Sequence, residues 1–314
     1  MENRLRNILI YGFGRMGLTH FAILNSLELD FNFTVLDTNK KMVAILRKNF
    51  PEVTFYTDEN KLPQKPFDLT LINTPPHSHK QLLSKVTKRG DSRIFIEKPF
   101  GGHLNYSSNE NYDNVFIGYV LRFNPCVQWI KNNIVVSNIV TAQGQYVSGT
   151  LEKKPKGWRN GEYSGVLNEM GSHIIDLLNY IIGMNNHKVI KSSMKSVVSD
   201  VDDIVEAELQ VADKKIELFF NWVSHETRKP VFEITLELKD GSRIVFDQQI
   251  IRITKDDQLV EQITAADLKG TVPFYLRGID FTKQMQDLIG PADNLSTMKE
   301  ALTVNRIIKD ILNS

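Results

Sequence analysis

The sequence predicts a two-domain α/β protein: a parallel sheet wrapped by helices, then a larger, mostly antiparallel sheet backed by a few helices. Three observations carry this. Short β-branched and aromatic runs alternate with helix-patterned stretches through the first third, and strands then follow one another with few helices between them. The length of 314 residues also exceeds that of a usual single domain. The expected units are 1–120 and 121–314.

In the first unit, Ile8–Tyr11, Phe33–Asp37, Val53–Tyr56, Leu69–Asn73, Ile94–Glu97 and Val115–Gly118 read as strands. Helices are expected over 15–27, 39–49 and 77–88, which supplies the crossovers that parallel strands require. The stretch 99–114 breaks this rhythm. Pro99-Phe100-Gly101-Gly102 and the Asn/Ser-rich run after it disfavour a long helix, so a short irregular link is expected.

In the second unit, 138–147, 188–199, 203–212, 215–223, 231–238, 243–247 and 250–255 read as strands. Phe232, Ile234, Leu236 and Leu238 alternate with Glu233, Thr235 and Glu237, and Asp240-Gly241 marks a hairpin turn. Helices are expected at 165–182, 274–289 and 297–313.

Thirty-eight basic and 37 acidic residues leave a net charge of +1 without any block of one sign, so no nucleic-acid surface is expected. The single cysteine, Cys126, excludes internal disulfides and reads as a small buried residue in a reducing, cytoplasmic setting. The opening apolar stretch is too short for a secretory leader, and no run approaches the roughly 20 apolar residues of a membrane helix. No membrane association is expected.

Gly12-Phe13-Gly14-Arg15-Met16-Gly17 follows the first strand and opens a helix, and Asp37 ends the second strand twenty residues after Gly17. Glycines there permit a tight turn and a helix N-terminus facing a pyrophosphate, while Asp37 accepts from the adenosine ribose hydroxyls. Asp37 also suits the N-cap of the 39–49 helix, a role open to Thr38 instead. An acid at this position repels a 2′-phosphate. NAD(H) is therefore favoured, with NADP(H) left open by Lys40 and Lys41.

Two more strand ends supply crevice residues. Asn73-Thr74-Pro75, followed by His77 and His79, closes one; Glu97-Lys98-Pro99 closes another. The two histidines lack partners with metal spacing and read as surface or capping residues, and no metal site is expected. A partly desolvated Lys98 is a usable proton carrier. In the predicted 165–182 helix, Glu169, His173 and Asp176 stand at i, i+4 and i+7, a spacing that stacks them on one face. Met170, Ile174, Leu177, Leu178 and Ile181 form its apolar stripe, and Gly183 its stop.

Taken in order, the glycine turn, Asp37, Thr74-Pro75, Glu97-Lys98-Pro99, Gly118-Tyr119, Arg122-Phe123-Asn124-Pro125, Gly165 and Glu169–Asp176 resemble the glucose–fructose oxidoreductase/inositol dehydrogenase (Gfo/Idh/MocA) family over essentially the whole chain. The resemblance implies a Rossmann domain, a second α/β domain with a large open sheet, and a cis Lys98–Pro99 bond. It makes Lys98 and His173 the catalytic pair, with Glu169 as the acidic partner of His173. Asn73, Thr74, Pro75, His79, Glu97 and Lys98 join the glycine turn and Asp37 as cofactor contacts. The implied reaction moves hydride between a nicotinamide and a carbohydrate-like substrate: a sugar, a nucleotide sugar or a cyclitol. A non-catalytic NAD(P)-binding sensor or regulator is the alternative on the same scaffold.

The sequence departs from the family pattern in having Glu rather than Asp at 169, one glycine at 165, and a short 99–114 link. Tyr119, Arg122, Asn124, Trp158, Arg159 and Asp176 are candidates for the substrate wall. The basic stretch 149–164, with Lys153, Lys154, Lys156 and Arg159 around Trp158, reads either as a lid that meets phosphates or as an exposed loop. The second sheet is expected to carry an uncovered apolar face, with Phe219, Phe220, Trp222 and Phe232, through which the chain forms a homodimer or homotetramer.

Overall fold

Strands β1 (Asn7–Tyr11), β2 (Asn32–Leu36), β3 (Thr54–Tyr56), β4 (Leu69–Ile72), β5 (Ile94–Ile96) and β6 (Val115–Ile117) pair in parallel in the order β6-β5-β4-β1-β2-β3. Helices α1 (Arg15–Asn25), α2 (Lys40–Asn49) and α3 (His79–Arg89) make crossovers between them. Ile8, Leu9, Ile10, Leu69, Leu71, Ile94, Phe95 and Ile96 are wholly buried. Continuous apolar runs of this kind mark central strands covered on both faces. The computed structural model describes residues 6–27, 29–100, 112–161, 163–226, 229–268, 270, 272 and 275–314. Most of the link expected to be irregular, 101–111, lies outside the described residues.

After β6 the chain enters a second unit through α4 (Pro125–Asn133), a helix the sequence reading did not foresee. Asn124 caps it by accepting from the Cys126 N–H at 2.9 Å, and Pro125 occupies its first turn. Next come β7 (Ile139–Val147), α5 (Ser172–Ile182), β8 (His187–Lys195), β9 (Ile204–Val211), β10 (Lys214–Asn221), β11 (Val231–Leu238), β12 (Arg243–Phe246), β13 (Ile250–Lys255), β14 (Gln258–Thr264) and the short α6 (Ala265–Leu268). The eight strands form one sheet, β14-β13-β12-β11-β7-β10-β9-β8, antiparallel except where β10 runs parallel to β7. Gly241, at φ +84°, turns β11 into β12 at the expected hairpin.

One face of this sheet is core. Val205, Leu209, Ile216, Phe220 and Ile234 are buried, and α5 covers β7 with Ile174 and Leu178 beside Gly144. The other face is polar, contrary to expectation. Gln143 donates to Glu217 at 2.7 Å and Gln145 to Glu233 at 2.9 Å across neighbouring strands. They line a groove of about 510 Å³ together with Glu208, Lys191 and Phe219. Of the four aromatic residues assigned to an open apolar face, Phe220, Trp222 and Phe232 point into the core and only Phe219 reaches the groove. Strand alternation requires this split of Phe219 from Phe220.

The last part of the chain corrects the expected domain boundary. Residues Val272–Met298 return to the first unit, Met1–Gly118, while Tyr119–Thr271 and Lys299–Ser314 make the second. Helix α7 (Ile279–Ile289) packs on α1, and β15 (Ser296–Thr297) adds an antiparallel edge strand to β6. Arg93 fastens this return by donating to the carbonyls of Leu288 and Gly290. Helix α8 (Met298–Leu312) then closes the chain. Among the described residues, no helix is long and apolar enough to cross a membrane.

Candidate active site

The glycine turn is built by close approach. A Cβ at Gly17 would lie 2.1 Å from the Gly12 carbonyl oxygen, and Gly12 itself holds φ +80°. Helix α1 thus begins hard against the end of β1. No side chain caps it and its first turn carries no acid, so its N–H groups suit an anion. Asp37 follows β2. Its Oδ2 accepts from the Phe13 N–H and its Oδ1 from the Asn39 N–H, both at 2.8 Å. The cap of α2 is neither Asp37 nor Thr38. Asn39 fills that role, accepting from Met42 N–H at 3.1 Å.

Gly12, Gly14, Asp37, Asn73, Thr74 and Pro75 line one cleft of about 560 Å³. Thr38, Glu59, Gln81 and Lys85 line it too, with Lys85 paired to Glu59; none of these four appeared among the expected cofactor contacts. Phe13 contributes backbone only, since its ring is buried against Phe21 and Phe55. Arg15 is exposed and Met16 half-buried on the first turn of α1. Size, an uncapped helix start and a carboxylate on the wall fit a dinucleotide.

The β4 loop is locked from beneath. Thr74 and Ser78 share a hydroxyl hydrogen bond of 2.6 Å, and His79 donates through Nε2 to the Thr74 carbonyl at 2.7 Å. His79 is wholly buried, so it is not a surface residue, and it fixes the shape of this loop from within. Burial drives its pKa down to about 4. At the end of β5, Glu97 is also buried and its Oε2 accepts from the Lys98 N–H at 3.2 Å. Lys98 itself is half-buried, and the Lys98–Pro99 bond is cis.

Under both loops lies a residue that sequence reasoning passed over. His20, on the inward face of α1, places Nδ1 3.1 Å from Asn73 Oδ1 and Nε2 3.3 Å from Glu97 Oε1. Its signal was available: a histidine one turn after Gly17, on the side of α1 that also buries Ile23 and Leu24.

In the second unit, the expected single helix begins with a π-turn, Leu167–Gly171, before α5. Such turns cluster at functional sites. Two residues force it into place. Gly165, at φ +100°, leaves no room for a Cβ, which would sit 1.9 Å from Asp202 Oδ1. The other oxygen, Oδ2, accepts from the Leu167 N–H at 2.7 Å. Burial pushes the Asp202 carboxyl up to about 7.

The two carboxylates each have a partner of their own. Glu169 accepts from the Ser164 hydroxyl at 2.6 Å and lies 3.5 Å from the Arg159 guanidinium. Asp176 is bound through both oxygens by Arg122, at 2.8 and 2.6 Å. His173 stays at the start of α5, its ring edge-on to Tyr119 at 6.0 Å.

Four expected substrate contacts are therefore structural. Arg122, 1% exposed, also pairs with Glu300, Asp176 is 0% exposed, and Tyr119 is as buried as Arg122. Asn124 caps α4 and donates to the Gln248 carbonyl at 3.0 Å. Arg159, by contrast, is exposed beside the half-buried Trp158, its guanidinium 5.1 Å from the ring centre. Within the basic stretch, Lys154 and Asn160 both bond Asp200 at 2.6 Å, while Lys153 and Lys156 stay exposed. Among the described residues, no group of three His, Cys, Asp or Glu side chains is placed to hold a metal ion.

A parallel sheet whose glycine turn opens on an uncapped helix, with an acid closing the second strand, defines a Rossmann-type dinucleotide-binding protein. A family model described as "Oxidoreductase family, NAD-binding Rossmann fold" matches residues 6–108, and the GFO/IDH/MocA C-terminal domain model matches 135–239. The chain belongs to the Gfo/Idh/MocA oxidoreductase family. Among sequence relatives, glucose-fructose oxidoreductase domain-containing protein 1 of Xenopus tropicalis is 30% identical over 163 residues, 48% of this chain and 42% of that protein. Protein 2 of the same description from Mus musculus is 29% identical over 149 residues, 44% and 38% of the two chains. The match thus spans about two fifths of these relatives' own length. A levoglucosan dehydrogenase solved with NADH and levoglucosan has the same fold at TM-score 0.80 and 18% identity, covering 98% of this chain and 96% of that one. The WlbA dehydrogenase of Bordetella pertussis, solved with NADH and UDP-GlcNAcA, follows at 0.77 and 14%, covering 100% and 96%.

Proposed function

We propose that this protein transfers hydride between a bound nicotinamide and a CH–OH group of a carbohydrate-like substrate, with NAD(H) preferred. The observation that carries this reading is the uncapped start of α1 over a cleft that also presents Asp37. Asp37 supports the NAD(H) preference, because its carboxylate, held in place by two N–H groups, repels a 2′-phosphate. Structural neighbours solved with NADH and with a sugar or nucleotide sugar support the substrate class.

The nicotinamide supplies a carbon that gives or takes hydride. In the proposed chemistry His173 accepts the proton of the substrate hydroxyl, and Lys98 stabilises negative charge developing on that oxygen. Glu169, held by Ser164 and near Arg159, supplies negative charge at the start of the helix that carries His173. Trp158 and Arg159 remain the proposed substrate contacts; Tyr119, as buried as Arg122, serves the fold with Arg122, Asn124 and Asp176.

The test is turnover on a panel of sugars, cyclitols and nucleotide sugars with NAD+ and NADP+. His173→Ala and Lys98→Met are each expected to lower turnover at least ~10²-fold, the low end for an acid–base group. Asp37→Ala is expected to erode the preference for NAD+. Near-normal turnover in His173→Ala ends the mechanism, and cofactor binding without turnover on any substrate raises the sensor reading above it.

A further inference from the structure

The mechanism leaves one buried ionisable pair without a role. His20 is 0% exposed and Glu97 9%. Phe95 lies edge-on to the His20 ring at 5.3 Å, so the surroundings disfavour net charge. Asn73 links the pair to the cleft wall: its side chain meets His20 Nδ1, and the residue lines the cleft.

Counting protons defines two arrangements. With Asn73 Oδ1 accepting from Nδ1–H, Nε2 is bare, and a contact with Glu97 requires a protonated carboxyl to donate. With the Asn73 amide turned over, its NH2 donates to Nδ1, Nε2 carries the hydrogen and Glu97 is an anion. The two arrangements differ by one proton.

The charged groups facing the pair are Lys98, next in the chain, and Arg277 ahead of α7. Burial pushes the Glu97 carboxyl up to about 7, against the pull of Lys98 and Arg277 toward the anion. Burial holds His20 down at about 4. Burial therefore favours a protonated Glu97 carboxyl beside a neutral His20.

An oxidised nicotinamide ring is a cation and the reduced ring is neutral; the rest of the dinucleotide is the same in both. With Asp37 at the adenosine end, the nicotinamide end falls on the β4–β5 side of the crevice, toward Asn73 and Glu97. We propose that His20 and Glu97 hold one proton between them and release it when an oxidised nicotinamide binds, so that this pair couples cofactor redox state to proton uptake. On going from the first arrangement to the second, the Glu97 Oε1 proton passes to His20 Nε2, the Nδ1 proton leaves for solvent and the Asn73 amide turns over, so one proton is released in all. His20 is a positioning residue here: its Nε2 stands 3.3 Å from Glu97 Oε1, while the other carboxyl oxygen accepts from the Lys98 N–H.

This inference rests on the dinucleotide reading, and the experiment separates the two. NAD+ and NADH are titrated by calorimetry at pH 6, 7 and 8, each in two buffers of different ionisation enthalpy, which counts protons released on binding. For the wild type, NAD+ affinity is expected to rise about fivefold from pH 6 to 8, the effect of a one-unit pKa displacement over that range, with proton release near neutrality. NADH is expected to show little of either. Glu97→Gln keeps the shape and the acceptor but not the titration, and is expected to bind both cofactors with no difference in pH dependence. His20→Asn is the second variant, with the same expectation. Equal proton release for NAD+ and NADH in the wild type overturns the proposal alone. A difference that persists in Glu97→Gln also overturns it and moves the linkage to Lys98. Failure of either cofactor to bind the wild type overturns the dinucleotide reading and this proposal together.

Discussion

His79 shows how much a single buried side chain decides in this protein. Its ring has no exposure, and its Nε2–H holds the Thr74 carbonyl in place on the cleft wall. Burial lowers its pKa from 6.5 to about 4, so the folded chain resists the proton that the unfolded chain accepts. The sign follows: stability from this group is whole above pH 6.5 and is lost as pH falls through 4. We expect the melting temperature of the wild type to drop steeply over that window, with His79 contributing on the order of 3 kcal/mol. In His79→Gln that slope is expected to flatten, His20 alone retaining a similar demand; a slope identical to the wild type in circular-dichroism melts refutes the assignment. At this scale the sequence was legible where several constraints met along the chain. Glycines 12, 14 and 17 and Asp37 stand out in the sequence because turn, helix start and strand end coincide there. The burial of His20 and His79 was not legible, because it comes from strands far away in sequence.

Elements were legible where a period was clean. The central strands were found from continuous apolar runs, and Val231–Leu238 from its alternation. Strand β14 was missed because it is an exposed edge with little alternation, including Leu259 and Val260 on the outside. The π-turn was missed because an assumed 3.6-residue period stacked Glu169, His173 and Asp176, whereas Asp202, distant in sequence, sets the start of that helix. Arg122 then becomes the bolt of α5. Its two-pronged bond to Asp176 and its third contact with Glu300 satisfy a cation that burial alone would disfavour. Removing one partner leaves the other charged and buried, so Arg122→Met or Asp176→Asn is expected to lose about 3–5 kcal/mol in urea unfolding. The double variant is expected to lose less than the sum of the two. Strict additivity would mean that the pair does not act as a unit.

At the scale of the molecule, the eight-stranded sheet presents a groove lined by Gln–Glu pairs and a single aromatic, Phe219. Side chains already bonded across strands offer a flat, ordered surface to a second copy. We expect light scattering at micromolar concentration to report a dimer or tetramer, and Phe219→Lys to shift it toward monomer; a wild type that is monomeric throughout removes the idea. The return of 272–298 to the first unit was not legible, because a two-residue strand such as Ser296–Thr297 has no period to read. That return has a consequence for synthesis. On the ribosome, the nucleotide-binding unit cannot finish when residue 118 emerges, since its edge strand and the helix over α1 are still unmade. At roughly 5–20 residues per second it waits on the order of ten to forty seconds, while the whole intervening sheet is translated. A nascent chain halted at that point carries an unpaired β6 edge and a bare flank on α1, the sort of surface that chaperones hold.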